Sequence, residues 1–240
     1  MKILKKLMII FLILAAAVLP TAYFVLGQAK FGKVPSGKRL ERILKSPHYK
    51  NGKFNNLNPT PQLAEDTSMP EIMFRFLFGK TPDKRPAQEF HFQKTDLKKL
   101  DPSQNAYVWM GHSSYFMQID GKKILVDPVL SGYASPFSFT GKAFRGTDLY
   151  KPEDIPELDY LIITHDHWDH LDYKTVLKLF PKTKKIITGL GTAEHLEYWG
   201  YNPKNIVELD WFESSDLGEG FKVTAEPARH FSGRGLKRDQ

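Results

Sequence analysis

The sequence predicts an α/β fold for residues 106–240. Short apolar runs of strand length recur along this part of the chain, and segments with helix signals separate most of them. A dense group of histidines and aspartates, THDHWDHLD at residues 164–172, directly follows one of these apolar runs. Strands that alternate with short helices are typical of a sheet covered by helices, so the group is expected at an edge of a sheet.

The first predicted elements form a β-hairpin. Residues 107–119 have strand character that is interrupted at residues 111–113, and residues 122–126 return as the next strand. Asp120 and Gly121 lie between them and form a typical two-residue hairpin turn. Asp127, which precedes a proline, ends the second strand.

A long loop and a series of short elements follow. Residues 131–157 contain Gly and Pro throughout and are predicted to be a loop. Asp172 is suited to cap a helix that ends before Pro181. The predicted strands cover residues 160–163, 186–187, 206–209 and 221–225, and the predicted helices cover residues 173–180 and 192–199.

The N-terminus predicts a membrane anchor. Residues 1–6 form a basic n-region, and residues 7–27 contain no charge. As a helix these 21 residues reach about 30 Å, enough to cross a bilayer. An uncleaved signal anchor is favoured, with a cleaved signal peptide or a buried helix as the alternatives. The signal-like n-region predicts a body outside the cytoplasmic membrane, although the cations after the span favour the opposite orientation.

The charge of +7 is unevenly distributed along the 240 residues. Residues 1–53 hold eleven Lys and Arg against one acid, Glu41, so the rest of the chain has a charge of −3. A slightly acidic body provides no basic track for a nucleic acid, so that class of partner is not expected. The absence of Cys excludes disulfides and thiolate zinc sites.

Residues 28–105 are predicted to be a basic linker and an N-terminal extension. Residues 30–53 are basic and contain Gly and Pro, which favours a solvated linker or, as the alternative, a segment held against anionic headgroups. The following prolines punctuate a polar stretch in which residues 71–78 form one short helix behind Pro70. The α/β domain is assigned to residues 106–240.

The histidine motif is the feature of the sequence that is most informative about chemistry. His165 and His167 are two residues apart just after a predicted strand, so both imidazoles are expected on the same side of the chain. Asp169 and His170 follow where the chain turns towards the next helix. Imidazoles and carboxylates without thiolates suit zinc, iron or manganese.

The stretch from His165 to His170 resembles the H-x-H-x-D-H motif of the metallo-β-lactamase superfamily. Residues 111–114 (GHSS), 125–128 (LVDP) and 227–235 (PARHFSGRG) are similar to one branch of it, which contains the UlaG-like hydrolases and N-acylphosphatidylethanolamine-hydrolysing phospholipase D. Residues 46–49 and 52–55 resemble the N-terminal extension of that branch. The resemblance covers about residues 32–240 and implies an αββα sandwich whose second half is largely missing here.

The resemblance also implies roles for individual residues. His165, His167 and His230 would bind a first zinc ion. Asp169 and His170 would bind a second one, and Asp169 could also orient the nucleophile as a catalytic residue. Asp127 would hold the motif loop in position without binding a metal itself.

Four other histidines and one departure from the family pattern complete these expectations. His112 could contact substrate or be a hydrogen-bonded histidine, His195 is expected to be structural, and His48 and His91 have no assigned role. The family has a further Asp and His after the third His, whereas the ten residues after His230 contain only Asp239 and no His. The chain is therefore expected to end inside the domain, to bind one metal well and to be weakly active or inactive alone.

The function implied by these features is metal-dependent hydrolysis at a membrane. The favoured substrate is a phosphodiester such as an N-acylphosphatidylethanolamine-like phospholipid, so membrane lipid is the expected partner. The alternatives are a lactone, an amide or a soluble phosphoester, or a non-catalytic relic of the domain.

Overall fold

The computed structural model describes residues 2–61, 63–79 and 84–235. Asp239 lies outside these residues. The helices of this part of the chain are α1 (Lys2–Leu26), α2 (Gly37–Lys45), α3 (Met69–Phe78), α4 (Tyr173–Leu179) and α5 (Ala193–Tyr198). The strands are β1 (Tyr49–Lys50), β2 (Lys53–Phe54), β3 (Ala106–Gly111), β4 (Ser114–Ile119), β5 (Lys122–Val126), β6 (Leu158–Ile163), β7 (Thr183–Gly189), β8 (Ile206–Leu209), β9 (Ser214–Gly218) and β10 (Phe221–Thr224).

A six-stranded mixed sheet is the centre of the fold. Its strands lie in the order β3-β4-β5-β6-β7-β8, with antiparallel pairing from β3 to β5 and parallel pairing from β5 to β8. Asp120 and Gly121 both have positive φ, at 48° and 76°, as the predicted two-residue turn requires. The α/β prediction is confirmed. Because β5 and β6 are parallel neighbours, the loops that follow them leave the sheet at the same edge.

Alternate side chains of the sheet pack on opposite faces. On one face, strand residues pack against α4 and α5, including Phe116, Leu125, Leu161, Val176 and Leu196, each 0% exposed. On the other face, Ile124, Val126, Tyr160 and Ile187 pack against Leu217, Phe221 and Val223 of the hairpin β9–β10. The sheet is therefore covered on both sides, by helices on one and by a hairpin on the other.

The N-terminal helix α1 projects from the body. Residues 3–14 and 16–24 are exposed, and only the last two residues, Val25 and Leu26, are half-buried. Residues Ile3–Leu26 have a mean hydropathy of 2.6, so in length and composition this helix could cross a membrane. A signal sequence or the core helix of a soluble protein meets the same criterion.

The segment after α1 corrects one prediction, because it is bound to the body and is not a solvated linker. Ile43 of α2 is 0% exposed. Arg39 forms ion pairs with Glu194 and Glu197 on α5 and with Glu208 on β8. These carboxylates belong to the slightly acidic body. They pair with part of the basic charge of residues 30–53, the charge that suggested a segment held against anionic headgroups.

Candidate metal centre

The site is built where β5 and β6 end side by side. Asp127 follows β5 with a φ of 42° and is 3% exposed. Its Oδ1 accepts a hydrogen bond from the backbone N–H of Thr164 at 2.8 Å, and its Oδ2 accepts one from the Thr164 hydroxyl at 2.7 Å. The first residue after β6 is thereby joined to the first residue after β5, and the histidine loop starts from a defined position.

Three of the predicted metal ligands lie together. The ligand atoms of His165, His167 and His230 are all within 4.8 Å of one another. The Nε2 of His230 lies 3.1 Å from the Nδ1 of His167, although the two residues are 63 positions apart in the chain. His165 and His167 are on the same side of the chain, as the spacing predicts, and His230 closes the group from the segment after β10.

A second cluster joins Asp169 and His170 to a histidine that was expected to contact substrate or to be hydrogen-bonded. The ligand atoms of His112, Asp169 and His170 lie within 4.8 Å of one another. The Nε2 of His112 is 2.9 Å from Oδ2 of Asp169, which in turn is 3.7 Å from Nε2 of His170. His112 is therefore hydrogen-bonded, and it brings a third ligand atom to the two that the sequence predicted for a second metal. The rings of His165 and His170 lie 3.9 Å apart, so the two clusters are adjacent.

The hydrogen bonds at the Nδ1 atoms of His165 and His170 leave their Nε2 atoms available for a metal. The Nδ1 of His170 is 2.7 Å from Oδ2 of Asp127, and the Nδ1 of His165 is 3.0 Å from the hydroxyl of Thr164. With the Nδ1–H groups donating in these bonds, each Nε2 keeps its lone pair. The Nε2 atoms of His165 and His167 are buried without a hydrogen-bond partner. Since buried polar atoms are almost always paired, these two nitrogens fit a metal ion as their missing partner.

Burial and neighbouring groups together set the protonation states of these side chains. Burial lowers the pKa of His165 to about 4, and the neighbouring His170, His167 and His230 contribute further. Burial is likewise the main cause that lowers the pKa of His167. For Asp169, burial acts to raise the pKa, but the hydrogen bond with His112 and the charge of His170 outweigh it and lower the pKa. At pH 7 the two imidazoles are neutral and the carboxylate is ionised, which are the forms that bind metals.

Two residues at the site have roles that the sequence did not indicate. Thr164 connects Asp127 to His165, and Arg234 is 4% exposed and hydrogen-bonded to the carbonyls of the histidine loop. Arg234 lies within the stretch that carried the resemblance, but nothing in a sequence shows that an arginine will bind backbone carbonyls. His195 is buried beside Asp166, as expected for a structural histidine.

An open hollow adjoins the first cluster. Its volume is about 410 Å³, and its lining includes His230, Arg229, Asn56, Phe54 and Met69. A cation, an amide and apolar side chains thus lie next to one of the candidate ligands.

The comparisons with known proteins agree with this geometry. Residues 122–240 match the family described as the beta-lactamase superfamily domain. An uncharacterized protein of Mycobacterium tuberculosis is 35% identical over 195 residues, which are 81% of this chain and 52% of that protein. N-acyl-phosphatidylethanolamine-hydrolyzing phospholipase D 1 of Caenorhabditis elegans is 35% identical over 138 residues, with 53% of this chain and 38% of that protein covered.

A UPF0173 metal-dependent hydrolase of Pyrobaculum neutrophilum is 28% identical over 129 residues, which are 53% of this chain and 51% of that protein. The chain thus spans about half or less of the length of the curated relatives that it matches. The matched region contains every predicted metal ligand. The resemblance carried by the histidine motif is confirmed, because residues 122–240 are similar to the beta-lactamase superfamily domain.

Proposed function

We propose that this protein is a membrane-anchored, metal-dependent hydrolase of phosphodiesters, with an N-acylphosphatidylethanolamine-like phospholipid as its substrate class. The observation that carries the hydrolase assignment is the pair of adjacent ligand clusters, in which two imidazole nitrogens are buried without a partner. Sites that hold two neighbouring metal ions with histidine and aspartate ligands catalyse hydrolysis in many metalloenzymes.

Zinc is the metal we propose, held by His165, His167 and His230 in the first cluster and by His112, Asp169 and His170 in the second. Bound there, zinc would supply Lewis acidity and would make a water molecule nucleophilic near pH 7. The first cluster is expected to bind more tightly because its ligands include two buried nitrogens with no competing partner. In the second, the His112 side chain is 60% exposed and is already hydrogen-bonded to Asp169.

Asp169 is suited to orient a water molecule at this site. The carboxylate of Asp169 is ionised at pH 7, so it can accept a hydrogen bond from a water molecule and orient it. His112 contacts the same carboxylate at 2.9 Å and helps to hold it in position. In the overall reaction water adds to phosphorus, the ester P–O bond breaks and the leaving alcohol takes up a proton.

The lipid substrate is supported by what surrounds the site. The hollow beside His230 offers Arg229 for a phosphate and Met69 and Phe54 for apolar chains. The exposed apolar helix α1 would keep the body at a bilayer. We place the body on the extracytoplasmic side of that bilayer. The Caenorhabditis elegans relative is by name a phospholipase of this substrate class.

The test uses the full chain in detergent micelles. Zinc content is measured first, and hydrolysis is then measured on vesicles that contain N-acylphosphatidylethanolamine and on bis(p-nitrophenyl) phosphate in solution. His167→Gln should abolish bound zinc at the first cluster and lower the rate of hydrolysis by on the order of 100-fold or more. This loss is larger than the loss caused by replacing a residue that only hydrogen-bonds to a ligand. His91→Gln, at an exposed histidine, is the matched control and should change neither.

The second candidate keeps the metal site and changes the substrate to a lactone, an amide or a soluble phosphoester. The solvent exposure of His112 favours it, because the open side of the second cluster would admit a soluble ester. Faster turnover of the soluble substrate than of the vesicle lipid would select this candidate. Zinc-loaded protein with no hydrolysis of any substrate would instead favour a binding module.

A further inference from the structure

We propose that residues 29–33, the membrane-proximal segment, position residues 164–171, the metal-binding loop, and that Arg234 joins the two. This inference rests on the metal site of the proposed function. It goes beyond that function because it assigns a role at the site to the residues that directly follow α1.

Arg234 contacts both segments through its guanidinium group. Its Nη1 donates to the backbone oxygens of Asp166 at 2.8 Å and Leu171 at 2.7 Å, so it holds the beginning and the end of the metal-binding loop. Its Nε and Nη2 donate to the backbone oxygen of Lys30 at 3.2 and 3.1 Å. The planar fork of arginine can make all these bonds at once, which a lysine cannot do.

Aromatic contacts at Trp168 also connect the membrane-proximal segment to the metal-binding loop. Trp168 lies between the candidate ligands His167 and Asp169. The guanidinium carbon of Arg234 lies 3.9 Å from the centre of the Trp168 ring, a cation–π distance. Phe31 of the membrane-proximal segment contacts the same ring edge-on, with 5.2 Å between ring centres. The middle of the loop is therefore packed against the segment through side chains as well as through Arg234.

A separate set of contacts passes through His195. Its Nδ1 accepts a hydrogen bond from the backbone N–H of Lys33 at 3.0 Å, and its Nε2 is 3.5 Å from a carboxylate oxygen of Asp166. Asp166 is the residue between His165 and His167, and its other oxygen accepts from the backbone N–H of Gly233 at 2.8 Å. Further along, Trp199 donates through Nε1 to the backbone oxygen of Ala29 at 2.7 Å.

The loop thus presents two sides with different tasks. His165 and His167 provide ligand atoms, whereas Asp166 and Trp168, the residues that alternate with them, contact Arg234, His195 and Phe31. A displacement of the membrane-proximal segment would therefore move the backbone that carries the ligands. Because α1 ends at Leu26, three residues before Ala29, the segment that supports the metal-binding loop directly follows α1 in the chain.

The first experiment compares Arg234→Lys with Arg145→Lys, a control at an exposed arginine. Hydrogen–deuterium exchange is measured on the zinc-free full chain in micelles, at the loop amides of Thr164, His170 and Leu171, which are hydrogen-bonded. Arg234→Lys should raise their exchange rates at least several-fold while the amides of β6 and β7 keep theirs. Zinc affinity should fall by about 10-fold or more, the range for residues that position a ligand. Cobalt substituted for zinc should show an altered visible absorption spectrum.

The second experiment uses Phe31→Ala, which leaves Arg234 in place, with Phe139→Ala at a 74% exposed phenylalanine as its control. The same changes in exchange and affinity are expected, at smaller size. If Arg234→Lys fails to fold, Phe31→Ala alone tests whether the membrane-proximal segment positions the metal-binding loop.

Wild-type exchange at the loop together with wild-type zinc affinity in the folded variants would overturn the inference. A wild-type chain that binds no zinc would instead overturn the metal site of the proposed function. The exchange measurement on zinc-free protein would then still decide whether residues 29–33 position the loop.

Discussion

Asp127 and His170 are joined by a 2.7 Å contact between Oδ2 and Nδ1, and Asp127 is 3% exposed. The carboxylate fixes which nitrogen of the imidazole carries the proton and turns Nε2 towards Asp169 and the second cluster. Since Asp127 also holds Thr164, a single buried side chain positions the histidine loop at its first residue and at the residue six positions later.

Asp127→Asn should therefore weaken metal binding without removing a ligand. The amide keeps the size of the carboxylate but loses its charge and can present an N–H to His170, so zinc affinity should fall about 10- to 100-fold. Competition with a chromophoric chelator measures this. Asp148→Asn, at an exposed aspartate, should bind zinc as the wild type does, and an unchanged affinity in Asp127→Asn would remove the role assigned to Asp127.

Ile43→Ala tests whether α2 is part of the folded body. Ile43 is 0% exposed, so truncating it should lower the free energy of unfolding by about 2–5 kcal/mol. Urea unfolding followed by tryptophan fluorescence is the measurement. The neighbouring Leu44 is 61% exposed, so Leu44→Ala should change the free energy of unfolding by no more than about 0.5 kcal/mol. Equal effects of the two substitutions would mean that α2 does not pack as described.

Gly32→Ala should destabilise the protein more than the same change at Gly37. Both glycines have positive φ, at 75° and 54°, so an alanine is strained at either position. Gly32 also has a ψ of −155°, a combination almost confined to glycine, which alone costs about 1–3 kcal/mol. A Cβ at Gly32 would lie 2.0 Å from Nδ1 of His195, whereas nothing lies within 4 Å of one at Gly37. The steric overlap should add about 1–3 kcal/mol at Gly32 alone, measurable as a lower urea midpoint. Similar midpoints for the two variants would argue against the close approach of this segment to His195.

The contact between Arg39 and Glu194 should make stability depend on pH in the acidic range. Burial acts to raise the pKa of Glu194, but the hydrogen bond with Arg39 and the charge of Arg39 outweigh it and lower the pKa below 4.5. A carboxyl group whose pKa is lowered by folding stabilises the protein above its unfolded pKa, and this contribution is lost as the pH falls through the folded value. The wild type should therefore be more stable than Glu194→Gln at pH 7, and the difference should narrow as the pH decreases below about 4.5.

The matched variant for this pH series is Glu71→Gln, which removes an exposed ion pair with Arg75 on α3. Surface pairs of this kind contribute little, so its unfolding curve should follow that of the wild type at every pH. A constant difference between wild type and Glu194→Gln from pH 7 to pH 3 would show that Glu194 does not gain its stability from Arg39.

Local patterns predicted the hairpin, the alternation of strands and helices, and the histidine motif because their determinants are neighbours in the sequence. The turn at Asp120, the cap at Asp172 and the spacing of His165 and His167 each depend on a few adjacent residues. His230 was reached only through the family resemblance, since no local rule connects it to a loop 63 residues earlier. Helix α2 was missed because Arg39 has its partners on the distant α5 and β8. Arg234 was missed because its partners are backbone carbonyls, which leave no trace in a sequence.

The ion pairs of Arg39 connect residues that are 155 to 169 positions apart. During synthesis, α2 therefore emerges long before Glu194 and Glu208 exist. At typical translation speeds of 5–20 residues per second, this interval lasts on the order of 10 to 30 s. Throughout it, Arg39 lacks its carboxylate partners on α5 and β8, so α2 cannot yet form these ion pairs. The order of synthesis therefore requires α2 to dock after α5 and β8 have been made, although it precedes both in the chain.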